Sequence, residues 1–421
     1  CYNRAPRRRL SSCRRPIHVS PAILRAERWR ILVKSGRAAT LRKGLIGCIA
    51  GLLVFAATAA VVLVIVATVP DPVGLVLSVI ASSIPAAFYA GVILRLDRYE
   101  SEPMRVVLAC FAWGAVGAIL LSIIASLIFE DVIADLIGPE FAPGLTIVVG
   151  APLIEETCKG IALLAVLFIA RDEFDSTLDG LVYGALVGAG FAMTENILYF
   201  GQTYLEGGLG PFGTLVVARA VLGGLAHPAY TAVTGAALGW SRSQYGRGWK
   251  RFVVPVLGWA GAVALHMAWN GGLTLTANWL GGDPGIVELV AVQALIVLVP
   301  AVAVLYVVAR LSHRYEMAIL RRELRPEVEQ GTISEAEYRL ITDDARRKET
   351  LAIARSRGGR VLRGRQLAFF HTAADLAFRR HHRQRGDADK PVYGERDAQD
   401  RKRLFDLRYE LVHGGMPFPD R

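Results

Sequence analysis

Eight runs of about twenty predominantly apolar residues limit what this 421-residue chain can become. A bilayer core about 30 Å thick is crossed by a helix of ~20 residues at 1.5 Å each. The runs are 45–69, 73–94, 106–129, 145–170, 178–200, 212–240, 252–276 and 286–309. They predict an all-α fold, a polytopic membrane helix bundle of about eight transmembrane helices with a short helical cytosolic tail.

The connections test that count. PDP, EDVIADLIGPEFAPG, GQTYLEGGLGPFG and ANWLGGDPG, after the odd-numbered spans, contain no Lys or Arg. RLDRYESEPMR, RDEFDST and SRSQYGRGWKR, after the even-numbered ones, are basic or mixed. Positive charge marks cytoplasmic loops, so the alternation places both termini in the cytoplasm of a multi-pass protein. The net charge of +11 follows the same pattern: of the 48 Lys and Arg, 13 lie in residues 1–44, 24 after residue 310 and 11 between. That distribution argues for membrane flanks and against nucleic acid as a partner.

Three divisions follow: a basic, disordered cytoplasmic leader over 1–44, a membrane region over 45–310 and a charged cytosolic tail over 311–421. In the tail, Ser334 with Glu337 three residues on is a capping-box pattern, which predicts short helices before a frayed, Arg-rich end. Its basic residues are candidates for contact with anionic headgroups. The five cysteines form no CxxC pair and predict neither a disulfide framework nor a cysteine zinc site.

Within the spans, ionisable groups away from the ends are few: Glu155, Glu156 and Lys159 in the fourth, Glu195 in the fifth, Arg219 and His227 in the sixth, His266 in the seventh. The three charges of the fourth span alone cost roughly 8–10 kcal/mol on an insertion scale, so a function is their default reading. Counted from the outer ends, Glu155, Glu195, His227 and His266 fall in one slab between the outer half and the midplane. Four successive helices can therefore converge on one cavity.

Adjacent residues on a helix point about 100° apart, so Glu155 and Glu156 cannot both face one spot. Lys159 reaches either of them. One carboxylate is then satisfied and the other is free to hold a water as general base. Two histidines and a carboxylate on different helices also make a zinc shell with an open position. Three carboxylates against Lys159 and Arg219 leave one negative charge, which a metal hydroxide or a protonated glutamate cancels equally well. Both a metal site, zinc first, and a metal-free site stay open. On the seventh span HMAWN puts His266 and Asn270 on one face, where Asn270 can bond the imidazole or a substrate oxyanion. Asn196 follows Glu195, and Arg219 lies two turns before His227, able to anchor a carboxylate or to snorkel. The rival reading of such a cluster is an ion- or proton-coupled transporter.

Taken together, EETCK at 155–159, GFAMTENILY at 190–199, His227 in AHPAY and HMAWN at 266–270 resemble the motifs of the PrsW family of intramembrane proteases, distant relatives of the type II CAAX prenyl endopeptidases. LDRYESEP at 96–103 is similar to the family's DRYEPEP, with Ser101 in place of a proline. The resemblance covers roughly 75–310. It implies hydrolysis of a peptide bond in or beside the membrane, with an anti-sigma factor or similar single-span regulator cut from the extracytoplasmic side. Glu155 or Glu156 would activate a water, the partner being held by Lys159. His227 and His266 would bind a metal or the water and oxyanion, Asn270 would polarise the carbonyl, and Glu195 would be a third ligand or an orienting carboxylate. Where the CAAX branch has FxxxH this chain has Phe191 and Glu195, which argues against prenylated substrates.

Overall fold

The computed structural model describes residues 49–96, 102–170, 174–243, 248–281, 284–384 and 391–416. The basic leader lies outside them, as do residues 97–101 of LDRYESEP. Residues 1–59 and 60–421 form two units. The described part of the first, 49–59, is apolar, largely exposed helix.

Among the described residues all regular structure is helical, and seven helices are long and apolar enough to cross a membrane. They are α1 (Ile49–Thr68), α2 (Pro72–Ile93), α3 (Met104–Ile137), α5 (Thr177–Gly207), the pair α6 (209–222) and α7 (Ala226–Ser243), α8 (Lys250–Leu280) and α9 (Ile286–Glu329). The remaining predicted span, 145–170, is helical too. It is α4 (142–169), whose three charges set it apart from the other seven. Asp71 caps α2 through Gly74 N, which makes PDP a tight hairpin. Ser176 and Asp179 form a capping box at the start of α5.

α5 is the hub. Its first four turns are almost wholly buried, and it packs on α7 through small residues. A Cβ on Gly180 would stand 2.1 Å from the Gly235 carbonyl oxygen, and one on Gly188 2.3 Å from that of His227. Only glycine allows backbones this close, and the approach carries His227 into the protein interior. Outward faces of α1, α2, α3 and α8 expose Leu, Ile, Val and Phe, as a lipid-facing surface requires.

Two features differ from the sequence expectation. The sixth span is not one helix: π-helical turns over Val217–Leu222 give way to a break at 223–225, and α7 restarts at Ala226. Gly223 and Gly224 supply the turn, and Pro228 sits in the first turn of α7, where its missing N–H costs nothing. The Tyr89 hydroxyl donates to the Ala220 carbonyl that the break frees (2.9 Å). Arg219 and His227 therefore do not share one unbroken stripe.

The tail is also more ordered than short helices and a frayed end. α9 runs unbroken from the membrane region to Glu329 and is followed by α10 (Glu335–Ile341, with the Ser334–Glu337 capping box), α11 (Asp344–Gln384) and α12 (Pro391–His413). Leu320, Leu324, Ile341, Phe369, Phe370, Leu404 and Leu411 form a buried core of their own. Glu327 and Glu337 are held by Arg401 and Arg408, each through two bonds of 2.6–2.9 Å.

Candidate active site

The four spans predicted to converge do so, the sixth of the chain's spans as the two helices α6 and α7. Glu155 from α4, Glu195 and Asn196 from α5, Arg219 from α6, His227 from α7, and His266 and Asn270 from α8 line one cavity of about 310 Å³. Its walls are completed by apolar and small residues, among them Ile147, Ala192, Gly223, Trp269 and Val290. Two π-helical segments flank it: Thr146–Gly150 leads into the glutamates, and Val217–Leu222 carries Arg219. Such bulges re-aim side chains within a helix and concentrate at functional sites.

Glu155 and Glu156 point apart, as their spacing requires, and their surroundings differ. Glu156 is fully enclosed and both its oxygens are engaged: Oε1 accepts from Lys159 Nζ (2.9 Å) and His266 Nδ1 (3.2 Å), and Oε2 from Thr231 Oγ1 (2.9 Å). The Glu155 side chain keeps 12% exposure to the cavity; its Oε2 accepts from Lys159 (3.2 Å), while Oε1 has no hydrogen bond among the described residues. Lys159 is wholly buried over the Phe191 ring (3.8 Å to its centroid) and also reaches His227 Nδ1 at 2.9 Å.

These contacts assign the roles of three ring nitrogens. An ammonium only donates, so His227 Nδ1 accepts from Lys159, and His227 Nε2–H donates to Glu195 Oε2 (3.0 Å). A carboxylate only accepts, so His266 Nδ1–H donates to Glu156, and its Nε2 faces Glu155 Oε2 at 4.0 Å. His227 Nδ1 stands 3.9 Å from the same oxygen. Each imidazole thus has one nitrogen on a carboxylate and the other turned toward Glu155.

Glu155, His227 and His266 each offer one ligand atom, and these lie within 4.8 Å of one another; this is the group of residues among those described that can hold a metal ion. Glu195, expected as a third ligand or an orienting carboxylate, faces the far nitrogen of His227 and is tied to Arg219 Nη2 at 2.5 Å. Arg219 Nε donates to Asn196 Oδ1 (2.8 Å) and its guanidinium covers the Tyr199 ring at 4.0 Å, so it anchors a carboxylate. Asn270 does not bond His266. Its Nδ2 donates to the Ile147 carbonyl (2.9 Å) at the cavity wall, and its second N–H has no bond among the described residues.

Two residues went unremarked in the sequence. Thr231 binds Glu156, and Tyr230 stacks on His266 (centroids 5.0 Å, 27°) and meets His227 edge-on (6.0 Å). The signal was present: three and four residues after His227, both lie on its face of a helix.

A many-helix membrane protein that buries a carboxylate–histidine cluster beneath a lined cavity is the class these observations define. Residues 102–305, just under half of the chain, match the family model described as PrsW family intramembrane metalloprotease. Three relatives carry the name Protease PrsW. That of Geobacillus kaustophilus (strain HTA426) is 30% identical over 139 residues, 33% of this chain and 55% of the relative. That of Bacillus subtilis (strain 168) is 33% identical over 103 residues, 24% and 44%. That of Clostridioides difficile (strain 630) is 30% identical over 107 residues, 24% and 42%. The chain spans about half the length of these relatives. No solved structure matches it.

Proposed function

We propose that this chain is an intramembrane peptidase that hydrolyses a peptide bond of a membrane protein within or beside the bilayer. The observation that carries the proposal is the convergence of Glu155, His227 and His266 on one cavity, with the outer nitrogen of each imidazole held by a second carboxylate. Structural ion pairing alone does not call for two histidines facing a third, solvent-accessible carboxylate.

The donor set, two imidazole nitrogens and a carboxylate oxygen, suits zinc, and carboxylates behind both imidazoles are the usual support for such ligands. His227 Nδ1, His266 Nε2 and Glu155 Oε2 would hold the metal, which would take over the contact Lys159 makes at His227. When bound, such an ion acidifies a water and polarises a carbonyl. The side chains supply the rest. Glu155 accepts the proton of the attacking water at its unbonded Oε1. Asn270 donates its second amide N–H to the carbonyl oxygen as it gains charge. Glu156 and Glu195 hold the imidazoles, Arg219 fixes Glu195, and Lys159 balances the paired glutamates.

The cavity is lined from helix ends that the loop charges assign to the extracytoplasmic side, with both termini in the cytoplasm. That access suits a single-span regulator such as an anti-sigma factor, cut near its outer membrane boundary. The test is a cleavage assay in intact membranes with a proteome-wide readout of shed ectodomains, comparing wild type with Glu155→Gln, Glu156→Gln and His266→Ala at matched expression. Fragments that vanish in the variants identify both site and substrate; fragments that persist in all three overturn the proposal. Metal analysis of the purified protein and of His266→Ala separates a metal-held water from one held by side chains alone.

A further inference from the structure

Gln293 stands in the apolar run AVQALIVLVP of α9, seven residues after Ile286, the first of that helix. An unpartnered amide inside a bilayer is costly, so its partners decide why it is there. The side chain is 3% exposed, and both of its polar atoms are engaged. Nε2 donates to the Ala268 carbonyl of α8 (2.6 Å), and Oε1 accepts from Thr276 Oγ1 of the same helix (3.2 Å). Gly272 lies midway between those two residues, and a Cβ there would stand 1.9 Å from Nε2. Ala268, Gly272 and Thr276 recur at every fourth residue, so they form the stripe of α8 on which the amide rests.

Another face of α8 carries the site. His266, Trp269, Asn270 and Leu273 line the cavity, and Ala268 is the residue midway between His266 and Asn270. On α9, Ile286 and Val290 line the same cavity, and Gln293 follows them on one face of that helix. Gln293 therefore joins two walls of the cavity. On a further side α8 is tied to α4: Asn270 donates to the Ile147 carbonyl (2.9 Å), and the Cβ that Gly271 lacks would meet Val148 Cγ1 at 3.0 Å. Directly after Gln293 the backbone takes π-helical turns over Ala294–Leu298. Ala294 and Leu298 share a buried cluster with Tyr230, whose ring stacks on His266.

We propose, on the peptidase reading of the cavity, that Gln293 is a positioning residue, fixing the rotation of α8 that aims His266 and Asn270 at the reacting groups. Its two bonds meet α8 eight residues apart, ~12 Å along the axis, so they resist both turning and sliding of that helix. Apolar packing alone resists such motion weakly in lipid, where hydrogen bonds between helices supply the specificity. Turning α8 by about 10° carries a side-chain tip ~6 Å from its axis through about 1 Å, and a misplacement of that size costs up to about 100-fold in rate.

Steady-state cleavage by the full chain in proteoliposomes, on the substrate that the ectodomain readout identifies, tests it with Gln293→Leu, Gly272→Ala and the double variant. Leucine removes both bonds and is favourable in a bilayer. Alanine at 272 pushes the amide off its stripe while Gln293 itself is kept. In each single variant kcat falls about tenfold or more, with KM within about twofold of wild type and a melting temperature close to it. The double variant falls no further than Gln293→Leu, because both changes break the same contact. A wild-type kcat in Gln293→Leu overturns the proposal, as does a fall in kcat that tracks a lost melting temperature, or additive losses in the double variant. If Gln293→Leu fails to accumulate in the membrane, Gly272→Ala decides alone by the same kcat, KM and melting criteria. A wild type that cleaves no membrane protein overturns the peptidase reading and this role with it, whereas an active wild type beside an unaffected Gln293→Leu overturns this role alone.

Discussion

His266 Nδ1 lies 3.2 Å from Glu156 Oε1, a contact between two buried side chains 110 residues apart in sequence. It sorts two chemically identical neighbours. Glu156, closed in by Lys159, Thr231 and His266, has no oxygen left to take a proton from water, whereas Glu155 has. Glu155→Gln is expected to lower cleavage by about 10²–10⁴-fold with the fold intact, the range of a lost general base. Glu156→Gln leaves Lys159 and His266 poorly matched in a buried site and is expected to lower thermal stability as well as activity. Parallel cleavage and melting measurements check this. A destabilised Glu155→Gln beside a stable, active Glu156→Gln would reverse the assignment.

Arg219 holds Glu195 and Asn196 through two different nitrogens. Lysine keeps the charge but not the fork, so Arg219→Lys loosens Glu195 and with it the orientation of His227. Outer partners of this kind are worth about 10–100-fold in metal affinity or activity. Arg219→Lys should fall in that range for cleavage, with little change in melting temperature because the side chain is part-exposed. Wild-type activity in the lysine variant would reduce Arg219 to an incidental ion pair.

Much of this was legible in advance. The span lengths, the alternation of loop charge, and the scarcity of intramembrane charges placed Glu155, Glu195, His227 and His266 in one slab, and all four line one cavity. What sequence spacing could not give is rotation. Depth says that Glu155 and Glu195 lie near the histidines, but only the helix packing decides which imidazole nitrogen each meets. The break after Arg219 was written in GGLAHP, yet two glycines serve a close helix crossing as readily as a turn. The tail's core escaped notice because its apolar residues come from helices far apart in sequence, amid a high density of arginine.

The approach of α5 to α7 puts a further expectation on Gly188. An alanine Cβ there would stand 2.3 Å from the His227 carbonyl oxygen and 2.6 Å from its carbon, so backbone must move. Gly188→Ala is expected to cost about 1–3 kcal/mol as an overpacking substitution. It should also lower cleavage, because His227 shifts from Lys159 and Glu195. Gly213→Ala in α6, with nothing within 4 Å of its added Cβ, serves as the neutral control. Equal melting temperatures for the two variants would contradict the packing argument.

His371, in the second limb of α11, supplies a pH dependence outside the membrane. Burial, with the nearby Arg347 charge, holds its pKa down to about 4, against an ordinary value of 6.5. The folded tail therefore keeps it neutral where the unfolded chain would protonate it. Between pH 6.5 and 4 the unfolded state binds more protons, so stability falls as pH drops through that window and levels off below it. The loss reaches about 2 kcal/mol at pH 5 and about 3 kcal/mol at the lower end. Hydrogen exchange of residues 366–378 in the full chain, corrected for intrinsic rates, should therefore show local opening rising more than tenfold between pH 7 and pH 5. His371→Gln should flatten that profile, and a wild-type profile already flat would show that the tail opens without exposing this histidine.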